Sequence, residues 1–190
     1  MQGTDKELLA LYGRGRTEAL EALVERHKSA LFGFIVNMTE VRDDADDIFQ
    51  EVWFKAIRKL GSYRHRNFRG WLVRIAHNVI IDRARRRKPE VSLDFEDDSG
   101  RPVMEAVAGG NRDPASGMAA SELGRRITRA VATLPEEQKE VFLMRVRMEL
   151  PFREIARIQR VSVNTALARM QYALAKLRPL LEDEYAQVKG

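Results

Sequence analysis

The residues best equipped for chemistry lie in the loop Tyr63-Arg64-His65-Arg66-Asn67 and along the helix-patterned segment that follows, with Arg69, Arg74, Asn78 and then Arg83, Arg85, Arg86, Arg87 and Lys88. Flat rings, hydrogen-bonding groups and cations are the combination needed to hold an unstacked base and its backbone. The arginine run suits phosphate contacts, which give grip without sequence information. It also fits a solvated helix end, where cations complement the negative end of the dipole. A second group, Ser162, Asn164, Thr165, Ala168 and Arg169, opens the last helix after the short turn Gln159-Arg160-Val161. A third is acidic: Asp43, Asp44, Asp46 and Asp47, followed by Gln50 and Glu51. Successive helical residues point in different directions, so these acids do not converge on a metal. Acids in a first turn complement the macrodipole, which accounts for Asp43, Asp44 and Asp46 but less well for the deeper Glu51.

The elements that must position these groups are helices. Asp5–Tyr12 reads as a short helix interrupted by Gly13 and Gly15, and Thr17 to Met38 as a long one. Asp44 to Leu60 forms a third, with Ile48, Phe49, Val52, Ile57 and Leu60 inward and Gly61 at its end. Phe68 to Lys88 forms a fourth, with a stripe of Leu72, Ile75, Ala76, Val79 and Ile80 at helical spacing and Pro89 as its stop. Trp71, beside Leu72 and Ile75, belongs with the core, and His77 ranks below Asn78 as a contact. Residues 89–117 lose all period and contain several breakers, as a linker of about thirty residues does. Helices resume with Ser121–Thr133 and Gln138–Met148. The pair Pro151–Ile158 and Ser162–Leu181 then fits a helix-turn-helix with Ser162 as cap.

Charge follows this organisation. The net +5 divides into +6 over residues 1–88, −5 over 89–117 and +4 over 118–190, so two basic blocks flank an acidic connector. That distribution favours two nucleic-acid-facing units over one basic tail. The chain has no cysteine, which excludes disulfides and thiolate metal sites, and His27, His65 and His77 have no zinc-motif spacing. No nucleophile–base constellation or Gly-rich phosphate loop is present, so neither an enzyme nor a cofactor is expected. The first residues lack a signal-peptide layout and no apolar run approaches a membrane span, so a cytoplasmic location is expected.

Three segments in order carry a family resemblance: Asp44-Ala45-Asp46-Asp47-Ile48-Phe49-Gln50-Glu51-Val52-Trp53, then Phe68 to Asn78, then Leu134-Pro135 through Glu154-Ile155-Ala156 and Val161 to Thr165. Together they resemble the small, two-domain extracytoplasmic-function (group IV) sigma factors of bacterial RNA polymerase. The resemblance implies an all-α fold. Residues 1–88 would be a region 2-like domain, 89–118 an acidic linker, and 119–190 a region 4-like helix-turn-helix domain. It implies that Asp47, Gln50 and Glu51 dock on the polymerase's largest subunit. The minus-ten element would be melted and read by Tyr63, Arg64, His65, Arg66, Asn67, Arg69, Arg74 and Asn78, with phosphates held by Arg83, Arg85, Arg86, Arg87 and Lys88. The minus-thirty-five element would be read by Ser162, Asn164, Thr165, Ala168 and Arg169. Core polymerase, promoter DNA and an anti-sigma factor are the implied partners. The linker either occupies a basic channel until RNA displaces it or is a plain tether. A free-standing regulator, the competing class, leaves the acidic helix and the basic fourth helix unexplained.

The chain departs from the family pattern in its C-terminal unit. Glu149, Arg160 and Asn164 stand where glycines are usual, and Pro151 replaces a usual serine cap. The recognition helix offers Leu167, Ala168, Tyr172 and Leu174 in place of cations. Leu167 and Ala168 either touch thymine methyl groups or meet a protein, such as an anti-sigma partner or an activator.

Overall fold

The computed structural model describes residues 3–39, 43–64, 67–87 and 124–180. His65, Arg66, Lys88 and the linker lie outside them, as does the side chain of Arg87. The described residues are helical with short turns and no strand. The elements are α1 (Asp5–Tyr12), α2 (Glu18–Met38), α3 (Asp43–Lys59), a single 3-10 turn (Leu60–Ser62) and α4 (Phe68–Arg87). After the linker come α5 (124–132), α6 (Glu136–Val146), α7 (Phe152–Gln159) and α8 (Val163–Leu180).

Local chemistry sets the helix ends. Thr4 and Glu7 form a capping box: Glu7 N donates to the Thr4 hydroxyl at 3.3 Å and Thr4 N to the Glu7 carboxylate at 2.7 Å. The bonds that the Glu7 carboxylate accepts, from Thr4 N and from the Thr4 hydroxyl at 3.0 Å, hold it below its usual range. Gly15 takes φ 86°, a left-handed conformation that turns the chain from α1 into α2. Helix α3 closes in the 3-10 turn, with the Ser62 hydroxyl donating to Lys59 O at 3.0 Å, and Gly61 is not left-handed. Helix α6 starts at Glu136, earlier than the Gln138 expected, because Pro135 supplies the extended residue before it and Glu136 and Glu137 fill the positive first turn.

The N-terminal core joins Leu23, Leu31, Phe34 and Ile35 of α2, Ile48, Val52 and Trp53 of α3, and Phe68, Leu72, Val73 and Val79 of α4, all buried. A fully buried leucine such as Leu72 contributes on the order of 2 kcal/mol. Ile57, expected inward, is 38% exposed: it lies seven residues after Gln50 and three after Phe54, on the solvent face of α3. Helix α4 has a wider buried surface than the expected stripe, because it packs on α3, on α2 and on α7. The C-terminal core gathers Val141 and Met144 of α6, Ile155 and Ile158 of α7, and Ala166, Ala173 and Leu177 of α8 around Met148 and Leu150. Helix α2 meets α6 as well, so the two halves of the chain touch.

Candidate nucleic-acid interface

At the entry to α4, Tyr63 turns inward. Its ring centroid lies 4.9 Å from Trp71 and 5.6 Å from Phe68, edge-on to the latter. Burial, aided by the charge of Asp5, pushes its hydroxyl up to about 12. Tyr63 therefore completes an aromatic cluster rather than standing out as a stacking platform, and Trp71 is half-buried in the same cluster. Arg64 is exposed, with Nη1 donating to its own loop at Tyr63 O, 3.0 Å. Asn67 caps α4: its side-chain oxygen accepts from Gly70 N at 3.0 Å, which commits that oxygen to the protein.

Along α4 the cations divide by partner. Arg69 pairs with Glu149, and Arg83 donates through Nη2 and Nε to Glu51 at 2.9 and 3.1 Å. Arg85 lies 3.3 Å from Asp82, and Arg86 is exposed. Arg74 is half-buried with no ion pair among the described residues, and Asn78, one turn on, is exposed. His77, read as a minor surface residue, is instead half-buried and close against Glu140 of α6.

The acidic helix presents Asp47 and Gln50 to solvent. They border an open depression lined also by Phe54, Ile57, Trp53 and Arg83. Phe54 is 62% exposed with the Arg58 guanidinium over its ring. Glu51 is engaged within the protein, by Arg83 and by Lys55 at 2.8 Å; the bonds from these cations lower its pKa against partial burial, that from Lys55 most. The sequence singled out no role for Phe54 and placed Ile57 inward, although their spacing from Asp47 and Gln50 puts them on one face.

In the C-terminal unit α7, a three-residue turn and α8 form the helix-turn-helix. Ser162 caps α8, its Oγ accepting from Thr165 N at 3.0 Å and lying 2.8 Å from Thr165 Oγ1. Arg160 turns the chain with φ 56° and its N–H donates to Ala156 O. Glu149 takes φ 53°, so two of the three glycine-type positions are left-handed, while Asn164 is helical. Asn164 and Thr165 are exposed at the head of α8, with Leu167 partly exposed and Ala168 half-buried. Arg169 folds back instead of facing outward: Nη1 donates to Gln159 Oε1 at 2.8 Å and Nη2 lies 3.9 Å from Glu137. Arg153 in the first turn of α7 and Arg160 in the turn before α8 are exposed cations as well.

A helical chain whose second half is a helix-turn-helix and whose first carries a basic helix behind an acidic one falls in the Sigma-70 class. The model of Sigma-70 region 2 matches residues 23–90, and that of Sigma-70, region 4 matches residues 124–177. The chain belongs to the ECF RNA polymerase sigma factors and is a promoter-directing subunit. It is 30% identical over 191 residues to the ECF RNA polymerase sigma-E factor of Haemophilus influenzae, covering 95% of this chain and 98% of that one. It is 28% identical over 173 residues to the ECF RNA polymerase sigma factor SigW of Bacillus subtilis, covering 90% and 92%. The fold is similar to that of the sigma factor RpoE of Bartonella quintana, solved with the anti-sigma factor NepR, at a TM-score of 0.64, 21% identity and coverage of 86% and 96%.

Proposed function

We propose that this sigma factor docks on core RNA polymerase through the exposed face of α3, with Asp47 and Gln50 as polar contacts and Phe54 and Ile57 as apolar ones. The observation that carries the proposal is the open depression in which those four side chains meet. Exposed aromatic and aliphatic groups beside charges are what a helix-on-helix interface uses. Glu51 acts one step back, fixing α3 to α4 through Arg83. The minus-ten element is held by Arg64, Arg69, Arg74 and Asn78 with His65 and Arg66, over a scaffold set by Tyr63 and Asn67. Arg85, Arg86, Arg87 and Lys88 grip phosphates. The minus-thirty-five element meets Asn164, Thr165, Leu167 and Ala168, with Arg153 and Arg160 on its backbone, while Ser162 and Arg169 fix the helix that carries them.

The domain division proposed is 1–88, 89–118 and 119–190. The protein works in the cytoplasm and is not itself an enzyme. It is restrained by an anti-sigma factor, a reading supported by the partner in the Bartonella complex. Asp47→Lys together with Phe54→Ser should weaken binding to purified core polymerase at least tenfold while leaving the helical circular dichroism intact. Unchanged affinity would remove α3 from the docking role.

A further inference from the structure

The two halves of the chain are joined by side chains, among them Glu140, His77, Gln159, Glu149 and Arg147, to which the proposed function gives no part. Glu140 of α6 is buried, with one carboxylate oxygen against His77 Nδ1 of α4 and the other accepting from Gln159 Nε2 of α7 at 2.6 Å. Gln159 in turn holds Arg169 of α8 at 2.8 Å. A continuous chain of hydrogen bonds thus runs from the minus-ten helix to the recognition helix. At its side, Arg69 donates to the Glu149 carboxylate at 2.5 Å and to Met148 O at 3.4 Å. Arg147 seats its guanidinium in a notch at Gly33 of α2, where any Cβ would collide with it. That partial burial lowers its pKa, and the group stays charged.

Glu149 is the informative residue. It holds φ 53°, a conformation glycine adopts without strain, and its carboxylate sits on a cation proposed to contact promoter DNA. We propose that the free chain is closed upon itself, with Glu149 occupying Arg69 as a phosphate would. Polymerase and promoter bind the opened form. The proposal rests on the reading of Arg69 as a minus-ten contact. Closure keeps the Arg69 guanidinium from nucleic acid and ties both reading helices into one body. Apparent affinity for DNA is then reduced by the fraction of molecules that are open.

The absence of native cysteine makes the test direct. Lys59→Cys and Lys176→Cys, both at exposed positions, take a donor and an acceptor dye on the full chain. The unmodified interface should give one high-transfer population. Glu149→Gly should lower the transfer while the melting temperature of the C-terminal unit stays level or rises, because glycine suits that φ. Arg69→Glu should also open the chain, and Arg69→Glu with Glu149→Arg should close it again. Opening by Glu149→Gly should raise affinity for a forked promoter fragment in the presence of core polymerase about tenfold if closed molecules outnumber open ones by about ten to one. Low transfer in the unmodified chain would overturn the closed form, and high transfer unchanged by Glu149→Gly and by Arg69→Glu would overturn the part of Glu149 in holding it. If instead Glu149→Gly opens the chain but adding Arg69→Ala to that already open variant leaves its forked-DNA affinity undiminished, the phosphate-mimic role of Glu149 is overturned and Arg69 leaves the interface.

Discussion

His27 is buried between α1 and the aromatic cluster, its Nε2 3.0 Å from Asp5 and its ring 5.4 Å from Phe68, with Nδ1 unpartnered. Burial lowers its pKa more than Asp5 raises it. A histidine harder to protonate folded than unfolded contributes stability that is complete above its unfolded value of about 6.5 and is lost as pH falls through it. Thermal melts should therefore fall between pH 7.5 and 5.5, and His27→Gln, which keeps a donor toward Asp5, should flatten that slope. Ser162→Ala should cost about 1 kcal/mol of C-terminal stability in urea melts through loss of the α8 cap. The Ser162 cap was legible in the sequence because its partner is three residues away. The partners of Arg69, Arg83 and Arg169 were not, since Glu149 comes from the α6–α7 connection and Glu51 and Gln159 from other helices, and charge in a sequence does not say which group will fold against it.

Among elements, α8 and the turn before it were readable almost to the residue, because Pro151, Ser162 and the apolar spacing are local devices. The buried breadth of α4 was not, because α7 covers it from across the linker. Arg160 holds φ 56°, and left-handed conformation costs a non-glycine residue about 1–2 kcal/mol, against roughly 0.5–1 kcal/mol of added chain entropy for glycine. Arg160→Gly should raise C-terminal stability by roughly 0.5 kcal/mol while weakening duplex DNA binding through the lost cation, a split that melts and binding titrations would separate. Equal losses in both would place Arg160 in packing alone. On α3, Ile57 corrected the expected inward face and in doing so widened the candidate docking surface from three polar residues to a mixed patch.

At the scale of the molecule, the division into two basic blocks around an acidic connector was visible in the charge pattern, and the family matches fall on the two blocks. The contact between the blocks was not visible, because Glu140, Glu149 and Gly33 carry no motif. Raising salt should favour the open form, since the Arg69–Glu149 pair is partly exposed and screened, and dye transfer should fall as ionic strength rises. On this reading α3 recruits polymerase and α4 reads the DNA it opens. Run-off transcription with purified core polymerase on a randomised promoter library separates those two roles. The intact chain should select promoters sharing two spaced elements, Asp47→Lys should abolish the transcripts, and Asn78→Ala should relax selection only within the minus-ten element. Full initiation by Asp47→Lys, or an unchanged promoter set with Asn78→Ala, would contradict the account.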